Sequence, residues 1–411
     1  HLETVALYAA EFRRPAPFDC WQCYHGPAYY TAAAFALVAV SWATGSVDAD
    51  WLGVQLLGAG VSVLSLVLVY LLLRCVAVDG ASRLSALAVV VVLPRDLYTA
   101  ASITNDAFLS LWVAVAAIGY VKLRRRDPGW KVWVSMLAIG TVIASMTKQS
   151  GLVTLVLPIA AVLEWRSDAR RSIGKGVFVA ALAVLAVSVA DEAWRTAKTG
   201  IPLASNQHHD YRAGRAHQPP GEVGVWTFST FRGLSLLREP TLSTATVDSF
   251  WTEIFARFWY DYEPRFLPPS SAAYVVARLM YLLGMVVCLA MGLGAIAIIR
   301  NGRGWERILL LVLCGFVGAT MLQTMRFPHF SSMKAVFILP AAGVMALCMA
   351  RGVAVTTGRV GGRVASMLSV VIVALGAVHW LVAMTLNSAA LDQAQQWSVP
   401  ELRLPSSSEP L

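Results

Sequence analysis

The loops between the apolar segments of this 411-residue chain sort by their content of lysine and arginine. Basic side chains are concentrated in four short stretches, residues 122–131, 166–175, 300–307 and 351–363. Short basic loops remain on the cytoplasmic side of a membrane, so this alternation predicts both the spans and their orientation. We therefore assign these stretches, together with residues 74–83, to the cytoplasmic face.

The composition supports a membrane protein. The chain is 57% hydrophobic and 14% charged, whereas a soluble domain carries about 25% charged residues. The net charge of +9 lies largely in the short basic loops. We interpret it as a topology signal, so we expect membrane lipid and no nucleic acid as a partner.

The apolar segments predict an all-α, polytopic integral membrane protein with about ten transmembrane helices, because a span needs roughly 20 residues. We expect a single transmembrane domain over residues 1–411, located in the cell (plasma or inner) membrane. The predicted spans are residues 52–73, 84–97, 107–121, 132–147, 150–165, 175–191, 272–299, 308–324, 335–350 and 364–385.

The segments expected outside the membrane on the other face are residues 1–51, 95–106, 148–150, 192–271, 325–334 and 386–411. Residues 1–51 form the first outer loop, in which 29–45 is a juxtamembrane or re-entrant helix rather than a full span, because the link that follows holds two aspartates and no basic residue. The long loop 192–271 should be ordered against the membrane surface, and its aromatic run 250–266 is typical of an interfacial belt. The Pro- and Ser-rich tail 386–411 is predicted to be disordered.

Charged residues at the outer ends of spans are the candidates for chemistry. Asn105 and Asp106 open a span, where Asp106 either caps the helix or serves a metal or phosphate site. Lys148 lies in a short turn on the face that is poor in lysine, so it either reaches the interface or binds a phosphate. Asp191 and Glu192 end another span, and we expect them to be solvated.

A second group of cations follows later in the chain. Arg326, His329 and Lys334 occur within nine residues of one short outer loop, against the charge rule. A single basic residue there would be ordinary, but three in one loop favour an anionic ligand.

The first outer loop contains His25 and a C-x-x-C pair. A lone histidine is more often a surface or capping residue than a functional one. For Cys20 and Cys23, a small disulfide and two free thiols both remain open. The four other cysteines lie in or beside spans and are interpreted as packing residues.

These residues, in this order, resemble the GT-C superfamily of membrane glycosyltransferases, which includes the protein O-mannosyltransferases and the lipid A aminoarabinose transferase. Residues 25–30 are similar to an H-x-P-P-L-Y-Y element, with Gly26 in place of its first proline. Pro94 through Asn105 and Asp106 are like the P…ND turn, and 147–151 are like a T-K-x-S-G turn. Arg326, Lys334 and Pro340 resemble a late R…K…LP element.

The resemblance implies a GT-C-like fold and specific roles. Family members carry an acidic pair after the first span, and residues 1–15 look like its continuation, so we expect that pair and a further span before His1. The catalytic residues implied are Asp106, His25, His1 and Glu3. The substrate-binding residues implied are Lys148, Arg326, His329, Lys334, Asn105 and Tyr29. No cofactor is certain, and a divalent metal ion held by Asp106 and His25 is left open.

The expected function is transfer of a sugar from a polyprenyl-phosphate donor to an unknown acceptor on the extracytoplasmic face. One alternative is a transporter or flippase for a lipid-linked or anionic substrate, which would instead place ionisable residues at the midplane and repeat its spans. A non-catalytic scaffold is the third class, and it leaves the outer cations unexplained.

Overall fold

The computed structural model describes residues 1–11, 13–45, 50–76, 78–165, 171–205, 208, 223–263, 269–328, 332–360, 367, 370–383 and 385. These residues form helices and connecting turns, with no strand among them. The helices are α1 Leu2–Glu11, α2 Pro27–Thr44, α3 Asp50–Cys75, α4 Gly80–Val92, α5 Pro94–Ala101, α6 Asn105–Arg124, α7 Trp130–Thr147, α8 Val156–Trp165, α9 Arg171–Thr199, α10 Val225–Ser229, α11 Gly233–Arg238, α12 Phe250–Trp259, α13 Ser271–Asn301, α14 Gly304–Arg326, α15 Ala342–Val360 and α16 Val370–Ala383.

Seven helical stretches within the described ranges are long and apolar enough to cross a membrane. They are Trp51–Cys75, Asn105–Arg124, Trp130–Thr147, Gly174–Thr199, Ser271–Asn301, Gly304–Arg326 and Leu339–Thr356. The pair α4 and α5 makes an eighth if it is one span bent by 50°. The bend falls at Pro94, which has no N–H to donate and disfavours helical geometry at Leu93 before it. The chain is therefore an all-helical protein of multi-pass character.

The number of spans differs from the predicted ten. Segment 150–165 forms a 3-10 turn, Gln149–Leu155, followed by the short helix α8. Segment 364–385 contributes the 14-residue helix α16, and its other residues are partly outside the described ranges. Both are shorter than a regular span, so the count of ten stays a prediction.

Helix α2 is not among the span-capable helices. The tail 386–411 lies outside the described residues.

The helix ends predicted to be cytoplasmic meet at one end of the bundle. The Arg125 guanidinium donates to the Cys75 carbonyl over 2.7 Å, which joins the ends of α6 and α3. Arg124 pairs with Glu164 at 2.7 Å, and Glu306 at the start of α14 accepts from Arg351 over 2.8 Å. We call the opposite end of the bundle the outer end, because it carries the helix ends that the sequence assigns to the other face.

Most aromatic side chains of the predicted interfacial belt lie in the protein core, which corrects that prediction for residues 250–263, the part of the run 250–266 that the structure describes. Its residues up to Trp259 form α12, and Phe250, Phe255, Phe258 and Trp259 are all buried. They pack in one apolar core with α13 and α15. An aromatic run with helical spacing suits either a membrane interface or a protein core, and here α13 covers it.

Candidate functional site at the outer end of α6 and α7

Close packing of α6 against α7 fixes which residues of the two helices lie side by side at the site. A Cβ atom on Gly119 would lie 2.6 Å from the Leu137 backbone, and one on Gly140 would lie 2.7 Å from the Ala116 backbone. Small residues allow this close approach of two helices. The helices are antiparallel, so the same register brings the start of α6 level with the residues that follow α7.

Asp106 and Lys148 meet there in a buried ion pair. The Lys148 Nζ lies 2.6 Å from the Asp106 Oδ1. Their residues are only 8% and 4% exposed. The ammonium also lies 4.4 Å from the centre of the Phe337 ring, within the range of a cation–π contact. Lys148 therefore does not extend to the interface, which was the alternative to phosphate binding.

Thr104, rather than Asp106, caps α6. The Thr104 hydroxyl accepts from the Asp106 backbone N–H and donates to the Asp106 Oδ2 over 2.9 Å. Because a threonine satisfies the helix end, the Asp106 carboxylate is available for Lys148. The capping role considered for Asp106 therefore belongs to its neighbour.

Gly26 holds His25 against the end of α7. A Cβ atom at position 26 would lie 1.9 Å from the Met146 carbonyl oxygen, so only glycine fits. This explains the departure from the proline that the resemblance predicts. His25 is buried, and burial lowers the pKa of its imidazole well below 6.5, with Lys148 and Arg195 adding to the effect. His25 is accordingly neutral beside the ion pair.

His1 and Tyr29 join the same region, and Glu3 does not. The His1 Nδ1 lies 2.8 Å from the Tyr30 hydroxyl, and its ring stacks on His25 with centroids 6.3 Å apart. Tyr29 is buried, and burial followed by the Asp106 charge raises the pKa of its phenol. Glu3 is exposed, because α1 buries the face that carries Thr4, Val5 and Tyr8.

Of the three cationic residues Arg326, His329 and Lys334, the structure places Lys334 beside the ion pair. Lys334 is half-buried and directly precedes the 3-10 turn Ala335–Phe337 that contacts Lys148. Arg326 is exposed at the end of α14 and lies near His208, whose pKa is lowered by burial and by the Arg326 charge. His329 lies outside the described residues. The structure thus places Lys334 at the site and Arg326 towards the long loop.

Several polar atoms around the ion pair have no hydrogen-bond partner. They are the Asn105 Nδ2 and Oδ1, the His25 Nδ1 and the Ser150 Oγ. Asn105 is 0% exposed, and it is the chain neighbour of Asp106. A buried amide without a partner costs free energy, which a hydrogen-bonding ligand or water would offset. The site therefore combines a paired cation with unused donors and acceptors.

The sequence analysis missed a second buried network beside the site. Asp191 at the outer end of α9 accepts from Arg195 and from Arg14, each over 2.6 Å. Arg195 is 1% exposed and reaches the Tyr24 carbonyl, next to His25, over 3.5 Å. Asp191 is buried, so the prediction of a solvated helix end is wrong. The i, i+4 spacing of Asp191 and Arg195 is the signal that could have indicated a pair.

An apolar cavity of about 610 Å³ opens beside the Phe337 turn. Ile338 lines this cavity, and Phe337 lies under Lys148. The wall is almost entirely carbon, with side chains from α4, α12, α13, α14 and α15. Representative lining residues are Val90, Phe255, Met285, Leu289, Leu313 and Ile338.

The residues do not form a metal site by themselves. Within the described part of the chain no three His, Cys, Asp or Glu side chains come together in a group that could hold a metal ion. The Asp106 carboxylate is already bound to Lys148 and Thr104. Among the residues that the structure describes, Asp106 and His25 therefore have no third side chain with which to hold a metal ion.

Cys20 and Cys23 are joined in a disulfide. This is one of the two states that the sequence leaves open. Thr4 of α1 lies 3.2 Å from the Cys20 sulfur, so the bridge ties the loop before His25 to α1.

Comparisons with known proteins add no family to this geometry. A scan against protein-family models found no match, and a search of curated proteins found none either.

Proposed function

We propose that the protein is a membrane glycosyltransferase that uses a polyprenyl-phosphate sugar as donor. One observation carries this proposal: two consecutive residues join a buried cation to an apolar cavity. Phe337 contacts the Lys148 ammonium at 4.4 Å, and Ile338 lines the cavity of about 610 Å³. A lipid phosphate needs these two environments side by side, a positive charge for the phosphate and an apolar groove for its chain.

The charges fit the chemistry of glycosyl transfer. An acceptor oxygen forms a bond to the anomeric carbon, and the bond from that carbon to the phosphate oxygen breaks. The leaving polyprenyl phosphate gains negative charge, which a positioned cation stabilises in the transition state. Lys148 would supply this charge, with Lys334 on the neighbouring turn as a second cation.

Asp106 and its neighbours would position the donor. Asp106 holds Lys148 in place while the site is empty, so the incoming phosphate exchanges one partner of the ammonium for another. The unpartnered Asn105 amide and the His25 Nδ1 are suited to sugar hydroxyls, which both donate and accept hydrogen bonds. The acceptor proton needs a base. His25 is a poor one because of its low pKa, and in the family that the sequence resembles an acidic pair has that role.

The test has a binding arm and a transfer arm. Purified protein in nanodiscs is first titrated with polyprenyl phosphate, with a neutral polyprenol as the control. Membranes that contain the protein are then supplied with polyprenyl-phosphate donors that carry labelled mannose, glucose or arabinose. The proposal expects tight binding of the phosphate form and transfer of one sugar. Binding without any transfer, combined with movement of the lipid between leaflets, would favour the flippase instead.

A further inference from the structure

A segment of the long outer loop exposes large apolar side chains. In residues 224–238, which contain α10 and α11, Val225, Trp226 and Leu234 are 80%, 85% and 75% exposed. Residues 223–231 hold no charged side chain. Two of the three, Val225 and Trp226, lie in that uncharged run, and Leu234 follows Arg232, whose charge is paired with Asp248. Single exposed apolar residues are ordinary, but three large ones on so short a segment indicate a surface that is covered by something.

The depth of this segment follows from α13. A helix rises about 1.5 Å per residue, so a hydrocarbon core of about 30 Å that begins at Arg300 ends near Met280. Just above that level, the Arg278 guanidinium donates to the Leu237 carbonyl over 2.8 Å. The Tyr281 hydroxyl donates to the Pro240 carbonyl over 2.7 Å. The end of α11 therefore lies at the outer edge of the hydrocarbon.

The start of α11 lies deeper. A Cβ atom on Gly233 would be 2.9 Å from the Met285 Cε and 2.9 Å from the Phe231 ring. Met285 is five residues below Met280, or about 7 Å along the helix axis. On the same helix Leu282, Val286 and Leu289 are exposed, and they form the face that a bilayer covers. On α13 this face lies next to the side chains of Arg278, Tyr281 and Met285, which residues 233–240 contact.

We infer that residues 224–238 are embedded in the outer leaflet of the bilayer, with Val225, Trp226 and Leu234 among the lipid acyl chains. The occupant is lipid rather than a protein partner because α11 is anchored to α13 at and below the outer edge of the hydrocarbon, beside the lipid-facing side of that helix. Tryptophan is favoured at this depth, since its ring is apolar and its N–H reaches the headgroups. The inference is independent of the proposed glycosyl transfer.

Site-directed fluorescence quenching tests the embedding. In a chain with Cys288→Ala and Cys314→Ala, which removes the exposed free thiols, single probes are attached through Trp226→Cys and Leu234→Cys. The matched control is Lys198→Cys, an exposed charged position at the outer end of α9. Each labelled protein is placed in phosphatidylcholine nanodiscs with and without spin-labelled lipid, and is separately titrated with aqueous iodide.

The probes at 226 and 234 should lose most of their fluorescence to the lipid-borne quencher and little to iodide, and the probe at 198 should show the reverse. Iodide quenching at 226 and 234 that equals the quenching at 198 would overturn the inference. Protection of both positions from both quenchers would also overturn it, because a protein partner or a second copy of the chain would then cover the segment. Two independent positions ensure that one poorly folded variant does not decide the result.

Discussion

Two buried ion pairs at the outer end of the molecule differ in how completely their polar atoms are used. In α12, Glu253 accepts from the Arg257 guanidinium over 3.0 Å and from the Tyr262 hydroxyl over 2.8 Å, and Arg257 also pairs with Glu263. Neither this pair nor the Asp106 and Lys148 pair itself leaves a buried polar atom without a hydrogen-bond partner. Beside the α12 pair, one oxygen of Asp248 has no hydrogen bond, but it lies 2.8 Å from the Arg232 guanidinium in an ion pair. The Asp106 and Lys148 pair is equally buried, yet the residues beside it, Asn105, His25 and Ser150, leave four polar atoms unpartnered.

The difference separates a structural pair from a functional one. A buried charge whose neighbours are all satisfied fixes the fold, and nothing remains for a ligand to bind. A buried charge among unpartnered donors and acceptors is costly in the empty protein, and a ligand can recover that cost. We therefore expect changes at Arg257 to affect stability first, and changes at Lys148 to affect binding and transfer first.

The largest expected effect is on stability, from Arg257→Leu. Removing one partner of a buried pair leaves the other charge uncompensated, which costs about 3–5 kcal/mol. A thermal unfolding experiment in detergent should show a much lower Tm. The control is Arg13→Ala, because Arg13 is largely exposed and its pair with Glu11 is solvated. If both variants unfold like the wild type, the α12 pair is not the structural element described here.

The next effect is on transfer, from Lys148→Ala. Loss of one positioned transition-state charge should lower sugar transfer by about 10²–10³-fold. Part of the change could come from the unpaired Asp106, so the matched variant is the double change Lys148→Ala with Asp106→Asn. We expect the double variant to regain thermal stability but not transfer. Normal transfer by Lys148→Ala would remove the central residue of the proposed site.

The sequence identified Asp106 and Lys148 as candidate site residues, but it predicted neither the ion pair between them nor its surroundings. Asp106 and Lys148 were identified because a charged side chain at membrane depth costs free energy, so its presence indicates a function. The contact between them depends on the α6 and α7 register, which Gly119 and Gly140 permit. The contact of Lys148 with Phe337 joins residues far apart in the chain, and no local pattern encodes it. That is why the cavity beside the cation appeared only in the folded structure.

The same limit explains the two wrong predictions. Periodicity places the aromatic side chains of α12 on one face of a helix, but it does not say whether lipid or α13 covers that face. Asp191 follows an apolar span, and such an end is solvated unless another element covers it. Arg14 belongs to the first outer loop, and its contact with Asp191 could be known only once that loop was placed.

A smaller effect is expected from Gly26→Ala, which tests how the site is positioned. The new methyl group would lie 1.9 Å from the Met146 carbonyl, so the loop that carries His25 must move. Overpacking of this kind costs about 1–3 kcal/mol. The free energy of donor binding should change more than the free energy of unfolding. The control is Gly60→Ala in α3, where the added Cβ meets nothing within 4 Å. A Gly26→Ala variant that binds polyprenyl phosphate normally would show that the position of His25 is unimportant for binding.

The smallest expected effect is on the pH dependence of stability, and it comes from His25. The unfolded imidazole titrates near pH 6.5, whereas burial holds the pKa of His25 well below that value in the folded protein. As the pH falls below 6.5, the unfolded state binds a proton that the folded state excludes. The contribution of His25 therefore lowers the free energy of unfolding by at most about 1.4 kcal/mol between pH 6.5 and pH 5.5. The variant His25→Gln removes this contribution, so its Tm should fall less than that of the wild type between these two pH values. The other histidines are the same in both proteins, so the difference between the two curves belongs to position 25. If the Tm of the two proteins falls equally with pH, His25 is accessible to protons in the folded state. The site would then be hydrated, contrary to what the unpartnered Nδ1 indicates.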